Sequence, residues 1–252
     1  MTYPGRVITL GETNRNVVKA ITTALTQAGY EVTGPPTKFD APLASTVKLF
    51  QSQHSDTLGR PLKIDGKIGP MTWQALFGAP ESEPLVDSLA AGALEVAVEE
   101  IGTYEDPLGS NSGPRVDQYL KSVGLGPGYF WCMAFVHFCF QEASARQGVA
   151  NPFPRTGGCI DAWSRVRRDS LEHIVTRAAA IADPGLVRPG MVFIHDYGNG
   201  KGHTGFVRAA VGGALRTVEG NADPQGGRNG LAVLEVNKRN VMDQSLKGFI
   251  AF

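Results

Sequence analysis

Cysteine is scarce in this chain: three in 252 residues, at Cys132, Cys139 and Cys159. A sparse, odd set excludes a disulfide scaffold and fits synthesis in a reducing cytoplasm. Cys132 and Cys139, placed on one helix, would lie about 10 Å apart along it, too far for a bridge. Charge of one sign is also lacking, since 24 Lys and Arg balance 24 Asp and Glu. That balance, with no basic run, argues against a nucleic-acid or anionic-membrane partner. No stretch approaches the roughly 18 apolar residues of a membrane span. The opening residues MTYPGRVITLGETNRNVV hold no apolar core ahead of a small-residue cleavage site, so no Sec signal peptide is expected and another route would carry the chain outward. What is plentiful is apolar material, 42% of the residues, enough for a real core. Glycine and proline are abundant too, 31 and 16 residues, which promises many turns. The length fits one large or two modest domains.

The first eighty residues read as a small helical unit. From Thr13 to Ala28 the apolar positions Val17, Val18, Ile21, Leu25 and Ala28 share a helical face, and Gly29 supplies a stop. Leu43, Val47 and Phe50 mark a second helix. Asp65-Gly66 signals a turn, and Gly69-Pro70 puts a proline where a third helix should start. The segment VKLFQSQHSDTLGRPLKIDGKIGPMTWQALFG resembles the second half of a three-helix peptidoglycan-binding domain. An FQ pair followed by D-G-x-x-G-P-x-T-W carries the resemblance through Phe50, Gln51, Asp65, Gly66, Gly69, Pro70, Thr72 and Trp73. The resemblance implies wall contacts at Phe50, Gln51, Asp65 and Trp73. Phe50 and Trp73 also sit at core positions, so the same residues fit a purely fold-building role. Residues 1–78 are therefore expected to form this domain, 79–86 a proline- and acid-bearing linker, and 87–252 the rest.

Behind the linker, apolar spacing predicts helices over 88–101, 114–123 and 130–147. Strands are expected at 191–195, 204–210, 214–219, 231–237 and 248–252, with Gly212-Gly213 as a hairpin turn. Helices first and strands second indicate an α+β domain with a mostly antiparallel sheet.

Cys132 follows the glycine-rich loop GLGPGYFW and opens the most hydrophobic helix. A helix N-terminus favours the thiolate, and its free N–H groups can hold an oxyanion. Cys139, two turns on, fits a buried structural cysteine. A cysteine nucleophile needs a base. His137 lies about 140° around the same helix and points away. His54 is in the front domain, and His173 is in an arginine-rich, loop-like region. His195 ends a strand before Asp196-Tyr197-Gly198-Asn199 and reads as a solvated turn residue. His203, with small neighbours at the head of a strand, is favoured. Glu219 and Asn221, two apart on the next strand, are expected on one face, and either suits the role of orienting the imidazole. Asn221 also suits a simple turn role.

The ordered set FWCMAFVHFC, KGHTGFV and VEGNAD resembles the cysteine, histidine-dependent amidohydrolase/peptidase (CHAP) family, a papain-like group of cell-wall hydrolases. The resemblance implies Cys132 as nucleophile, His203 as base, Glu219 and Asn221 as polar partners, and a substrate contact at Trp131. Phe130 stands where a proline often precedes the Trp-Cys pair. Some relatives bind calcium, but Asp106, Asn111 and Asp117 lack the spacing of a calcium loop, so neither metal nor cofactor is expected. The expected function is hydrolysis of an amide in the peptide stem of peptidoglycan by a monomer acting at the bacterial wall. A phage endolysin is the first setting, and an effector toxin with an immunity protein as partner the second. A non-catalytic wall-binding or virion protein is the alternative from another class.

Overall fold

The computed structural model describes residues 2–78, 88–223 and 229–252. The expected linker at 79–86 lies outside the described residues. In the front domain three helices form where the apolar spacing placed them: α1 (Arg15–Gln27), α2 (Ala41–Gln53) and α3 (Pro70–Phe77). Polar caps define their starts, because the first N–H groups of a helix have no partner within it. Asn14 accepts from the Asn16 and Val17 amides, and Asp40 accepts from Leu43. Proline opens α3, where a missing N–H costs nothing. Val18, Ile21, Leu25, Leu43, Val47, Phe50 and Trp73 bury their side chains together.

The back domain carries α4 (Leu89–Glu99), α5 (Val116–Ser122), α6 (Cys132–Gln147), α7 (Cys159–Asp169) and α8 (Arg177–Ala182). Its strands are β1 (Ile174–Thr176), β2 (Val192–Asp196), β3 (Gly202–Val211), β4 (Ala214–Ala222), β5 (Ala232–Asn240) and β6 (Leu246–Ile250). They form one sheet in the order β1-β6-β2-β3-β4-β5, antiparallel throughout. The α+β layout behind a helical front domain is as the sequence indicates. The arginine-rich stretch around His173 is more ordered than expected. It follows α7, whose Cys159, Ala162, Trp163 and Val166 face inward, and it leads through a short 3-10 turn into β1.

Helix α6 is buried all round its first half and apolar there except at His137, the mark of a helix packed on every side. Phe135 and Phe140 meet Phe206 of β3, with ring centroids 6.3 and 5.7 Å apart. At Gly220 of β4 an added Cβ would come within 2.7 Å of the Phe135 side chain, so glycine permits this close approach of helix and sheet. The packing fixes where the first turn of α6 sits over β3 and β4. The front domain rests on the far edge of the same sheet. Arg60, paired with Asp56, donates to the backbone carbonyls of Leu215 and Arg239.

Candidate active site

Three elements converge on one buried cluster. Cys132 is the first residue of α6, His203 lies near the start of β3, and Glu219 lies in β4. His203 and Glu219 are both completely buried, and Nε2 of His203 lies 2.8 Å from Glu219 Oε2. An ionised carboxylate only accepts, so this ring nitrogen carries the proton. The other nitrogen, Nδ1, has no partner of hydrogen-bonding geometry among the described residues. It faces the Cys132 thiol closely enough that each group shifts the other's pKa.

The electrostatics favour an ion pair. The Cys132 thiol is held well below the usual cysteine range, foremost by a hydrogen bond from Cys159, against the opposing effect of burial, and further by His203 and the Met133 amide. Burial pulls the His203 imidazole down, but its contacts with Cys132 and Glu219 prevail and raise it to about 9. Burial likewise raises the Glu219 carboxyl, yet Arg239 and then His203 bring it to about 2. These contacts together favour thiolate, imidazolium and carboxylate over the neutral forms.

Two members of this cluster carry no signal in the sequence reading. Arg239 of β5 grips both oxygens of Glu219, at 2.8 and 2.7 Å, and Thr217 donates to Oε1 at 2.6 Å. Cys159, first residue of α7, places its sulfur 3.7 Å from that of Cys132. Arg239 looks like one charge in a polar strand end, and Cys159 lies 27 residues from Cys132. Only the tertiary fold brings either one in.

Asn221 does not join Glu219 on the imidazole. Its backbone is left-handed at φ 53° beside a register shift in β4, which breaks the alternation of a regular strand. Its amide instead donates to Asn111 at 2.7 Å, and Asn111 is left-handed as well, at φ 51°. The expectation that Glu219 and Asn221 share a face is thus corrected.

Residues 124–221 match the CHAP domain family, and residues 14–76 match a peptidoglycan binding domain. The chain carries a CHAP domain. No curated protein and no solved structure gave a match. The two domains together support a peptidoglycan hydrolase, with peptidoglycan as its substrate.

Within the CHAP domain Trp131 is a correction to the sequence reading. It is fully buried, donates from Nε1 to Glu105 at 2.9 Å and stacks on Tyr119. It anchors the start of α6 and is closed to substrate. The rings exposed beside Cys132 are Tyr129 and Phe130. His195 is not a solvated turn residue either. It is 2% exposed inside β2, pairs across the ladder with His203, and lies 2.7 Å through Nδ1 from Ser245 Oγ. Burial holds it down at about 3, so it is neutral at working pH. His137 approaches Ser122 Oγ at 3.0 Å and lies away from the cluster. His54 packs on Phe50 in the front domain, and His173 on Phe252.

Of the binding residues read from the front-domain motif, the buried Phe50, Gln51 and Trp73 are corrected in the same way, while Asp65 keeps a partly exposed side chain. Phe50 and Trp73 are 2% exposed and packed in the core. Gln51 is buried and accepts from the Asp65 and Gly66 amides at 3.0 and 2.9 Å, while donating to Lys67 O and Thr72 Oγ1. Asp65 accepts from Gln51 and from the Lys67 amide. The motif therefore ties the turn before α3 to α2.

The calcium candidates do not form a cradle. Asp117 accepts from Ser112 and Gly113, and Asn111 pairs with Asn221. Among the described residues no three His, Cys, Asp or Glu side chains converge on a metal position. No helix of the described residues is long and apolar enough to cross a membrane.

Proposed function

We propose that the protein cleaves an amide bond in the peptide stem of peptidoglycan by cysteine nucleophilic catalysis. The observation that carries the reading is the division of labour on one imidazole: Nε2 is engaged by Glu219 while Nδ1 faces Cys132. The Cys132 thiolate attacks the carbonyl carbon. Backbone N–H groups at the start of α6, including that of Cys132, hold the oxyanion, since the first amides of a helix lack partners within it. His203, protonated at Nδ1, then gives its proton to the leaving amine. The neutral imidazole next takes a proton from water, and the hydroxide formed releases the acyl group from the thioester. Glu219 keeps the ring oriented and its charge balanced throughout.

The front domain raises the local concentration of wall substrate for a catalytic domain that engages it weakly. This tethered arrangement suits a lytic enzyme of the endolysin type working at the bacterial wall. Digestion of purified peptidoglycan, followed by mass spectrometry of the fragments, tests the reading. Wild type should release fragments whose new amine identifies the bond, and Cys132→Ala should release none. Equal release by both proteins, or by neither while both pellet with the wall, would overturn it.

A further inference from the structure

The mechanism uses one cysteine, yet a second thiol lies in contact with it. Cys132 and Cys159 each open a helix, α6 and α7, and the two helix starts converge so that the sulfurs lie 3.7 Å apart. Both residues are buried, at 4% and 6% exposure. The approach is held from a third side by β3. At Gly202 an added Cβ would fall 2.9 Å from the Cβ of Cys159 and 2.8 Å from the His195 carbonyl, so the strand already lies against the base of the Cys159 side chain. A disulfide needs the sulfurs at about 2.05 Å, a closure of less than about 1 Å by each side chain. Cys139, two turns further along α6, is also buried, and burial foremost pushes its thiol well above the usual range.

We propose that Cys132 and Cys159 are a redox pair, whose reversible disulfide blocks the nucleophile when a small-molecule disulfide such as oxidised glutathione is present. The inference rests on the reading of Cys132 as the nucleophile. The chemistry is ordinary thiol–disulfide exchange. The Cys132 thiolate attacks one sulfur of oxidised glutathione, forming a mixed disulfide and expelling one glutathione thiolate. The Cys159 thiol then attacks the Cys132 sulfur of that mixed disulfide. The second glutathione leaves as the Cys159 proton passes to it. The protein dithiol is oxidised by two electrons, and the oxidised glutathione is reduced to two glutathione molecules. A reduced thiol reverses both steps. The attacking sulfur is the one whose thiolate its surroundings favour, while the Cys159 thiol is raised first by the bond to Cys132 and then by burial. That asymmetry sets the order of the two steps.

The test is to equilibrate the full chain with oxidised glutathione at neutral pH and to measure intact mass, mapped peptides and wall-digesting activity. The expected product has lost two hydrogens, carries no glutathione, and yields a crosslinked peptide pair containing Cys132 and Cys159. Its activity falls at least about tenfold and returns with dithiothreitol. Cys159→Ser should instead retain a glutathione adduct on Cys132. A stable adduct on Cys132 in the wild type, a bridge to Cys139, or unmodified Cys132 would each overturn the proposal. Mapping the wild type alone decides the pairing if the Cys159→Ser chain does not fold. If the reduced wild type digests no wall, the hydrolase reading fails while the mass map still tests the pair.

Discussion

Replacing Arg239 by methionine removes a guanidinium from a carboxylate that has no access to water. Glu219 is completely buried and spends both oxygens on Arg239, with His203 and Thr217 as its remaining partners. Two routes give the magnitude. Breaking one side of a buried ion pair costs about 3–5 kcal/mol, because the other charge is left buried. The second route is the Glu219 carboxyl, whose net move from 4.5 to about 2 on folding sets burial, which raises it, against Arg239 foremost and then His203, which lower it; at about 1.4 kcal/mol per unit that net is about 3 kcal/mol for all of them together. The sign follows from linkage. A lowered carboxyl contributes stability that is present above its unfolded value near 4.5 and is lost as pH falls toward 2. Arg239→Met should therefore lose about 3–5 kcal/mol in urea denaturation at pH 7. Its acid transition should begin at a higher pH than that of wild type. The same substitution leaves His203 beside an uncompensated carboxylate, so the alkaline limb of activity should move upward. A loss below about 1 kcal/mol, with both pH limbs unmoved, would refute the account of Arg239 as the counter-charge of Glu219.

Cys132→Ala and His203→Ala should each abolish detectable wall digestion while preserving the folded circular-dichroism spectrum. The pH–rate profile of the wild type should be bell-shaped, with an alkaline limb near 9 as His203 loses its proton; a limb near 6.5 would contradict the ion pair. His195, held at about 3 by burial, makes wild-type stability fall as pH drops from 6.5 toward 3, because only the unfolded chain takes up the proton there. His195→Gln should flatten that slope in thermal melts, and an unchanged slope would exclude His195 as its source. Removal of residues 1–78 should lower pelleting with peptidoglycan and leave residual turnover of soluble fragments.

The elements that sequence rendered legible are those whose physics is local. The apolar stripe Val17, Val18, Ile21 and Leu25, the Gly69-Pro70 helix start and the Gly212-Gly213 hairpin depend on neighbours within one turn or one strand. Cys132 and His203 were readable for a related reason, since a helix start and a glycine-flanked strand head are local environments. Glu219 and Asn221 were not separable, because a left-handed residue and a register shift decide which one meets the ring. His195 was misread because a polar turn follows it, while its burial is set by β3, β6 and Ser245 across the sheet. Trp131 was misread because an aromatic beside a nucleophile suits a binding surface as well as it suits an anchor. Glu105, which accepts its indole N–H, lies 26 residues away.

The position of the front domain bears on how the site keeps its charge balance. Arg60 is fixed by Asp56 and donates to the backbone carbonyl of Arg239, while the side chain of that same residue holds Glu219. A carbonyl near the end of an edge strand otherwise meets water, and the end of a sheet edge is where strands fray first. Docking of Arg60 removes that freedom at the residue whose guanidinium must stay aligned with a buried carboxylate. The front domain and the charge balance of Glu219 therefore meet on β5. Loss of residues 1–78 removes the tether and also the brace behind Arg239. For that reason turnover by the isolated catalytic domain on soluble fragments, where tethering contributes nothing, should still fall below that of the full chain.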